Sequence, residues 1–196
     1  MELMGITGGI GMGKTAAGQI LAQLGVKIVD TDQIAREMVA PGTPGLAEVV
    51  RCFGSDLLDP DGQLRREALG QRVFGDPAAL AQLNALLHPR IGAAWQRQVG
   101  DWRAEGVPVA AVTLPLLYEN GYESEFSVVV CVACSVVTQQ ERLRQRGWDD
   151  AEIERRNRAQ LPVEEKMKRS ARVVWSEGSL EVHTRQWQAI LGRDQR

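Results

Sequence analysis

A chain of 196 residues is long enough for one α/β core with one or two small attachments. An apolar share of 44% beside 24% charged residues is ordinary for a soluble globular protein, and a formal charge of −2 supplies no general attraction for nucleic acid. No apolar run approaches the ~20 residues of a membrane span. No basic segment followed by an apolar one marks a secretion signal. The three cysteines, Cys52, Cys131 and Cys134, are an odd number without a framework, which points to reduced thiols in the cytosol.

Leu3–Thr7 reads as a short buried strand, and Ala16–Leu24 as a helix with Ala17, Ile20, Leu21 and Leu24 on one stripe. Between them, Gly8-Gly9-Ile10-Gly11-Met12-Gly13-Lys14-Thr15 fits G-x-x-x-x-G-K-[ST], the phosphate-binding loop pattern. A strand before it and a helix after it are the context this pattern requires. Glycines at Gly8, Gly9, Gly11 and Gly13 let the backbone turn tightly and bring N–H groups, including those of Met12 and Ala16, close to an anion. The helix start adds free N–H donors and the positive end of its dipole. Lys14 can reach terminal phosphates, and Thr15 can offer its hydroxyl to a magnesium ion.

Further apolar runs at Val26–Asp30, Val109–Leu114, Val128–Ala133 and Arg172–Trp175 complete five candidate parallel strands separated by helices, a βαβ pattern. Ligands in such sheets gather at the carboxyl ends of strands. The second strand ends in Asp30-Thr31-Asp32, before a helix with Ile34, Ala35, Met38 and Val39 on its apolar stripe. Spacing leaves two readings open for the two acids. They serve the helix start, where carboxylates are favoured, or one of them receives the proton of an attacking hydroxyl. A carboxylate is a weak base for an alcohol, but phosphoryl transfer depends mainly on positioning and charge neutralisation.

From about Thr31 to Pro108 the chain is helical and broken by turns at 41–45 and 59–62, with helices expected over Arg65–Phe74, Pro77–Leu87 and, after a break at His88-Pro89, Ile91–Ala104. The third strand runs into Pro115-Leu116-Leu117-Tyr118-Glu119, where proline ends the ladder and turns the chain. Cys131 and Cys134 lie in or at the end of an apolar run. Residues three apart on a strand face opposite sides, so they read as packed core thiols rather than a metal or redox pair. His183 has no partner visible in the sequence.

Between Arg142 and Arg172 stand ten basic and six acidic residues, against thirteen and nineteen in the rest of the chain. Such a run is a solvated helix face or a lid whose arginines close over polyphosphate. Arg142 and Arg146, four apart and expected to share a helix face, are the lid candidates.

Taken together, Thr7–Thr15, Val29-Asp30-Thr31-Asp32 with Ile34-Ala35-Arg36, Pro41–Gly45, Leu83-Asn84 with His88-Pro89, Pro115–Glu119, Gln160 and Lys166 resemble the dephospho-coenzyme A kinase family. The resemblance implies transfer of a phosphoryl group from ATP to the ribose 3′-hydroxyl of dephospho-coenzyme A, with magnesium, by a cytoplasmic enzyme whose partners are small molecules. It implies a P-loop NTPase fold with a five-stranded parallel sheet flanked by helices. The nucleotide core would be 1–31, 105–137 and 171–196, with a helical acceptor-binding insertion at 32–104 and a lid at 138–170. It favours Asp32 over Asp30 as the base, places Arg36, His88, Pro115, Leu116, Leu117 and Glu119 on the acceptor side, and has Arg142 touch ATP phosphates. The chain departs from the family pattern at Met12, at Thr31, at Arg90 and, most clearly, over Ser170–Ser176, where an Ala-Asp and an Asp-Asn pair are usual. That segment lies near the expected adenine pocket.

Overall fold

Three of the strands are largely apolar because both of their faces are covered. These are β1 (Glu2–Thr7), β3 (Val109–Thr113) and β4 (Val128–Ala133), each buried after its first residue. The edge strands β2 (Lys27–Asp30) and β5 (Arg172–Trp175) are shorter and more exposed. These elements come from a computed structural model, which describes residues 1–193. All pairings are parallel, in the order β2-β3-β1-β4-β5. From β1 the chain crosses to β2 on one side, and from β3 it crosses to β4 on the other. The winding therefore reverses at β1, and the crevice at its carboxyl end is the expected ligand position.

Two compact units emerge: Met1–Asp30 with the chain from Asp101 on, and Thr31–Gly100. In the first, α1 (Lys14–Gln23) lays Ala17, Ile20 and Leu21 on Met4, Ile6, Ala111, Val130, Val132 and Val174, with Trp187 of α9 (Leu180–Ile190) completing the core. Three helices join β4 to β5: α6 (Val136–Arg144), α7 (Asp150–Arg158) and α8 (Val163–Arg169). The open edge of β5 is closed at Trp175, whose N–H donates to Gln186 Oε1 (2.8 Å) and whose carbonyl accepts from Gln186 Nε2 (2.9 Å).

The second unit contains α2 (Thr31–Met38), α3 (Pro44–Phe53), α4 (Arg66–Phe74) and most of α5 (Pro77–Ala104). Val39, Leu46, Val49, Phe53, Leu57, Leu69 and Val73 form its centre, with Leu80, Leu83, Leu86 and Leu87 against them. The expected break at His88-Pro89 does not occur: α5 runs unbroken through Pro89. An internal proline costs about 3 kcal/mol by removing one hydrogen bond and crowding the preceding turn. Burial of the leucines before Pro89 and of Trp95, Val99 and Trp102 after it outweighs that cost. Arg90, unusual for the family it resembles, finds Glu48 of α3 at 2.7 Å, and that guanidinium holds the Glu48 carboxyl below the usual range.

The Pro41–Gly45 segment is a joint between α2 and α3. The Thr43 hydroxyl reaches the carbonyls of Met38 (2.7 Å) and Ala40 (2.8 Å) and accepts from the Leu46 N–H (3.2 Å) as the cap of α3. Thr43→Ala should lower unfolding free energy by about 1 kcal/mol, read as a shifted urea midpoint, and Thr43→Ser should recover most of it. No helix among the described residues is long and apolar enough to cross a membrane.

Candidate active site

The phosphate-loop segment occupies the crevice beyond β1. Gly8 holds φ +142°, and a Cβ there would lie 2.1 Å from the carbonyl oxygen of Val132 on β4. Only glycine lets the loop leave the strand at that point. Gly13, at φ +95°, begins α1 without any side-chain cap, and α1 has no acidic residue in its first turn. The first-turn N–H donors and the positive end of the helix are left for an anion. Thr15 is exposed in that turn and Ala16 follows it. Lys14 folds back over the loop, its Nζ donating to the carbonyls of Gly8 (2.8 Å) and Gly9 (2.7 Å). Met12, a departure from the family pattern, turns its side chain inward against Ala133, Cys134, Val163 and Met167 and is 2% exposed. Only its backbone is available to a ligand.

Helix α6 grips this loop with one face. Gln139 Nε2 donates to the Ile10 carbonyl (2.8 Å), and Leu143 packs where a Cβ on Gly11 would lie 2.9 Å away. Arg142 stands between them, its Nη1 3.6 Å from where a Cβ on Gly13 would be. The i, i+3, i+4 spacing of 139, 142 and 143 puts all three on one stripe. Of the arginines from 142 to 169, Arg144, Arg155, Arg156, Arg158 and Arg169 pair with carboxylates. Among the described residues Arg142 and Arg146 do not. Arg146, however, is off the helix. α6 ends at Arg144 because Gly147, at φ +84°, closes a turn there, so the expected shared face with Arg142 is absent and Arg146 sits exposed in the turn.

The start of α6 is held electrostatically. Glu177 accepts from the Ser135 N–H (2.7 Å) and from Trp175 Nε1 (2.9 Å). Hydrogen bonds from Ser135 first, then Thr138 and Trp175, bring its carboxyl down to about 2. A carboxyl lowered in the folded state stabilises fully above its ordinary range, and that contribution disappears as pH falls through the folded value. Between about pH 4.5 and 2 the native protein should therefore lose stability faster than Glu177→Gln, measured as melting temperature against pH.

The turn after β3 is tied to α8. Lys166 is fully buried. Its Nζ donates to the Pro115 carbonyl (2.6 Å) and pairs with Glu119 Oε1 (2.8 Å). The same Glu119 oxygen accepts from the Leu161 N–H (2.8 Å), and Tyr118 Oη lies 2.9 Å from Ser170 Oγ. Leu117 is buried and Leu116 half-buried. Glu119, expected on the acceptor side, thus also anchors the root of the helical segment.

Within the second unit, Asp32 is exposed in the first turn of α2, Arg36 is exposed at its last turn with its carbonyl accepting from Arg66 (3.1 Å), and His88 is half-buried on α5. Asp30, the last residue of β2, stands beside Thr113 in register. The cysteines are free. Burial pushes the Cys131 thiol up to about 11 and also raises Cys134, which makes both poor nucleophiles. His183 is buried near Trp187, and burial with the nearby Arg142 charge holds it below the ordinary imidazole range. Gln139 and Ser176, both in contact with the loop backbone, carry no local sequence signal.

A glycine cradle at the switch point of a parallel sheet, followed by lysine and threonine at an uncapped helix start and overhung by an arginine, defines a phosphate-loop kinase. The dephospho-CoA kinase family profile matches residues 2–181. A dephospho-CoA kinase of Anaeromyxobacter dehalogenans is 44% identical over 182 residues, covering 92% of this chain and 86% of that protein. A crystal structure from Thermus thermophilus superposes with a TM-score of 0.80 at 31% identity, over 100% of this chain and 98% of the other. A dephospho-CoA kinase from Campylobacter jejuni shares the fold at a TM-score of 0.64 and 22% identity, over 97% of this chain and 96% of that one. The chain belongs to the dephospho-CoA kinase family, whose members phosphorylate dephospho-coenzyme A with ATP in the last step of coenzyme A synthesis.

Proposed function

We propose that this chain moves the γ-phosphoryl group of ATP to the ribose 3′-hydroxyl of dephospho-coenzyme A through the residues named here. The observation that carries the reading is the loop itself: four glycines, one of them sterically obligatory, with Lys14 bent over them. Backbone N–H groups from Gly8 to Ala16 hold the phosphates, and Lys14 exchanges its two carbonyl partners for β- and γ-phosphate oxygens. Arg142 neutralises charge on the moving group, with Arg146 as a second cation from the turn beyond it. Asp32, two residues past the end of β2, orients the acceptor hydroxyl and takes its proton late. The 3′-oxygen forms the new bond to the γ-phosphorus, the bond to the β–γ bridging oxygen breaks, and ADP leaves. Arg36, His88 and the Pro115–Glu119 turn shape the acceptor side.

Magnesium fits the residues present. No cluster of three or more His, Cys, Asp or Glu side chains forms a protein cage among the described residues. The exposed Thr15 hydroxyl beside a phosphate cradle is the kind of sparse oxygen set this ion accepts, completing its shell with phosphate oxygens and water. Thr15 would hold it, and the ion would supply positive charge against the phosphates during transfer. In this reading 1–31, 105–137 and 171–196 bind nucleotide, 32–104 binds acceptor and 138–170 is the lid. The protein works in the cytosol, where its thiols stay reduced.

The test is ADP formation by the purified protein with ATP, magnesium and dephospho-coenzyme A, with the product identified as coenzyme A by mass. Turnover of nucleoside monophosphates in place of dephospho-coenzyme A would instead mark a nucleotide kinase.

A further inference from the structure

We infer that Ser176 is a positioning residue for phosphoryl transfer, fixing the Arg142 guanidinium beside the phosphate loop and linking it to the loop backbone at Met12. The inference rests on the kinase reading and on the role given to Arg142 in it.

Arg142 uses both terminal nitrogens on this one residue: Nη1 donates to Ser176 Oγ (2.9 Å) and Nη2 to the Ser176 carbonyl (2.8 Å). Ser176 is itself held in place. Its N–H donates to the Ala133 carbonyl at the end of β4 (2.8 Å), its hydroxyl donates to the Met12 carbonyl (2.8 Å), and it is 7% exposed. A hydroxyl has one proton to give and lone pairs to receive. Here it gives to the loop and receives from the arginine, so the chain Arg142–Ser176–Met12 has a single direction. The approach needs Gly13, since a Cβ there would come within 2.8 Å of Ser176 Cβ and Oγ.

The partners Arg142 lacks matter as much. Carboxylates neutralise most other arginines of this segment, whereas Ser176 offers Arg142 only neutral oxygens. A serine hydroxyl orients the guanidinium without cancelling its charge, and the full charge stays available to phosphate. An aspartate at position 176 would hold the arginine more tightly and spend that charge. A flexible arginine without the fork would pay side-chain entropy each time it reached the γ-phosphate.

A double-mutant cycle tests this. Arg142→Ala should lower kcat on the order of 10²-fold. Ser176→Ala removes only the hydroxyl and should lower kcat about tenfold, with KM for dephospho-coenzyme A nearly unchanged. In the Arg142→Ala background the same change should cost less than about twofold, because there is no guanidinium left to place. An equal loss in both backgrounds, or no loss in the first, overturns the inference while leaving the kinase reading intact. A silent Arg142→Ala overturns both the inference and the role given to that arginine. Absence of any turnover by the unaltered protein would instead sink the function. Should Ser176→Ala fail to fold, Arg142→Lys reads the same link from the other side. It keeps the charge but cannot fork, so kcat should fall about tenfold, and an unchanged rate overturns the proposal.

Discussion

Lys14→Ala should cut kcat/KM by on the order of 10³ while moving the melting temperature little. The asymmetry follows from what Lys14 touches. Among its contacts are hydrogen bonds to the carbonyls of Gly8 and Gly9. It is half-buried, so water can replace it at those carbonyls, and each bond contributes net only about 1 kcal/mol. Against a γ-phosphate, in the proposed role, the same ammonium would act where negative charge gathers and solvent is excluded. There, loss of one donor costs about 10²–10³ in rate, and loss of a charged one sits at the upper end. Steady-state kinetics beside a thermal melt separate the two effects. Near-normal turnover would show that the glycine loop is only a tight turn, and a collapsed melt would show that the lysine is structural.

Asp32→Asn should lower kcat by 10²–10⁴-fold with ATP affinity changed less than about threefold. Asparagine keeps the shape, the position in the first turn of α2 and one oxygen able to accept a hydrogen bond, but it cannot take a proton. The change therefore isolates the late proton transfer from simple orientation. Asp30→Asn is the internal control: it changes the neighbouring carboxylate while leaving the backbone of β2 in register with Thr113, and should lower kcat far less than Asp32→Asn. If Asp30→Asn is the crippling change and Asp32→Asn is mild, the two roles are exchanged. Fluorescence titration with an ATP analogue, run beside single-turnover transfer, distinguishes lost binding from lost chemistry.

Local chemistry in this chain was legible wherever the residues that act together are also consecutive. The five strands fall within a residue of where apolar runs place them, most firmly for the three central ones, whose two covered faces demand apolar residues along nearly their whole length. The loop reads as a motif because its glycines, lysine and threonine form one unbroken segment whose backbone, rather than its contacts, does the work. Two expectations failed for opposite reasons. Proline at 89 is a strong local signal that the tertiary packing of α5 overrides. Gly147 was a real stop signal after Arg144, and a four-residue spacing between arginines hid it. Met12 departs from the family pattern only in its side chain, which is buried with Ala133 and Cys134.

The sequence by itself settled the class of fold, the strand–loop–helix of the phosphate-loop pattern and the family, and it offered Asp30 and Asp32 as candidate proton acceptors. These depend on short-range geometry and on residue types, and both are written in order along the chain. Only the tertiary structure decided that Gln139, Arg142 and Leu143 clasp the loop and that Lys166 is buried with Glu119. It alone showed that Ser176 joins an arginine 34 residues before it to a carbonyl 164 residues before it. Those contacts exist because a parallel sheet brings the carboxyl ends of β1, β4 and β5 side by side. No periodicity within any one segment records which distant residues that alignment will bring together.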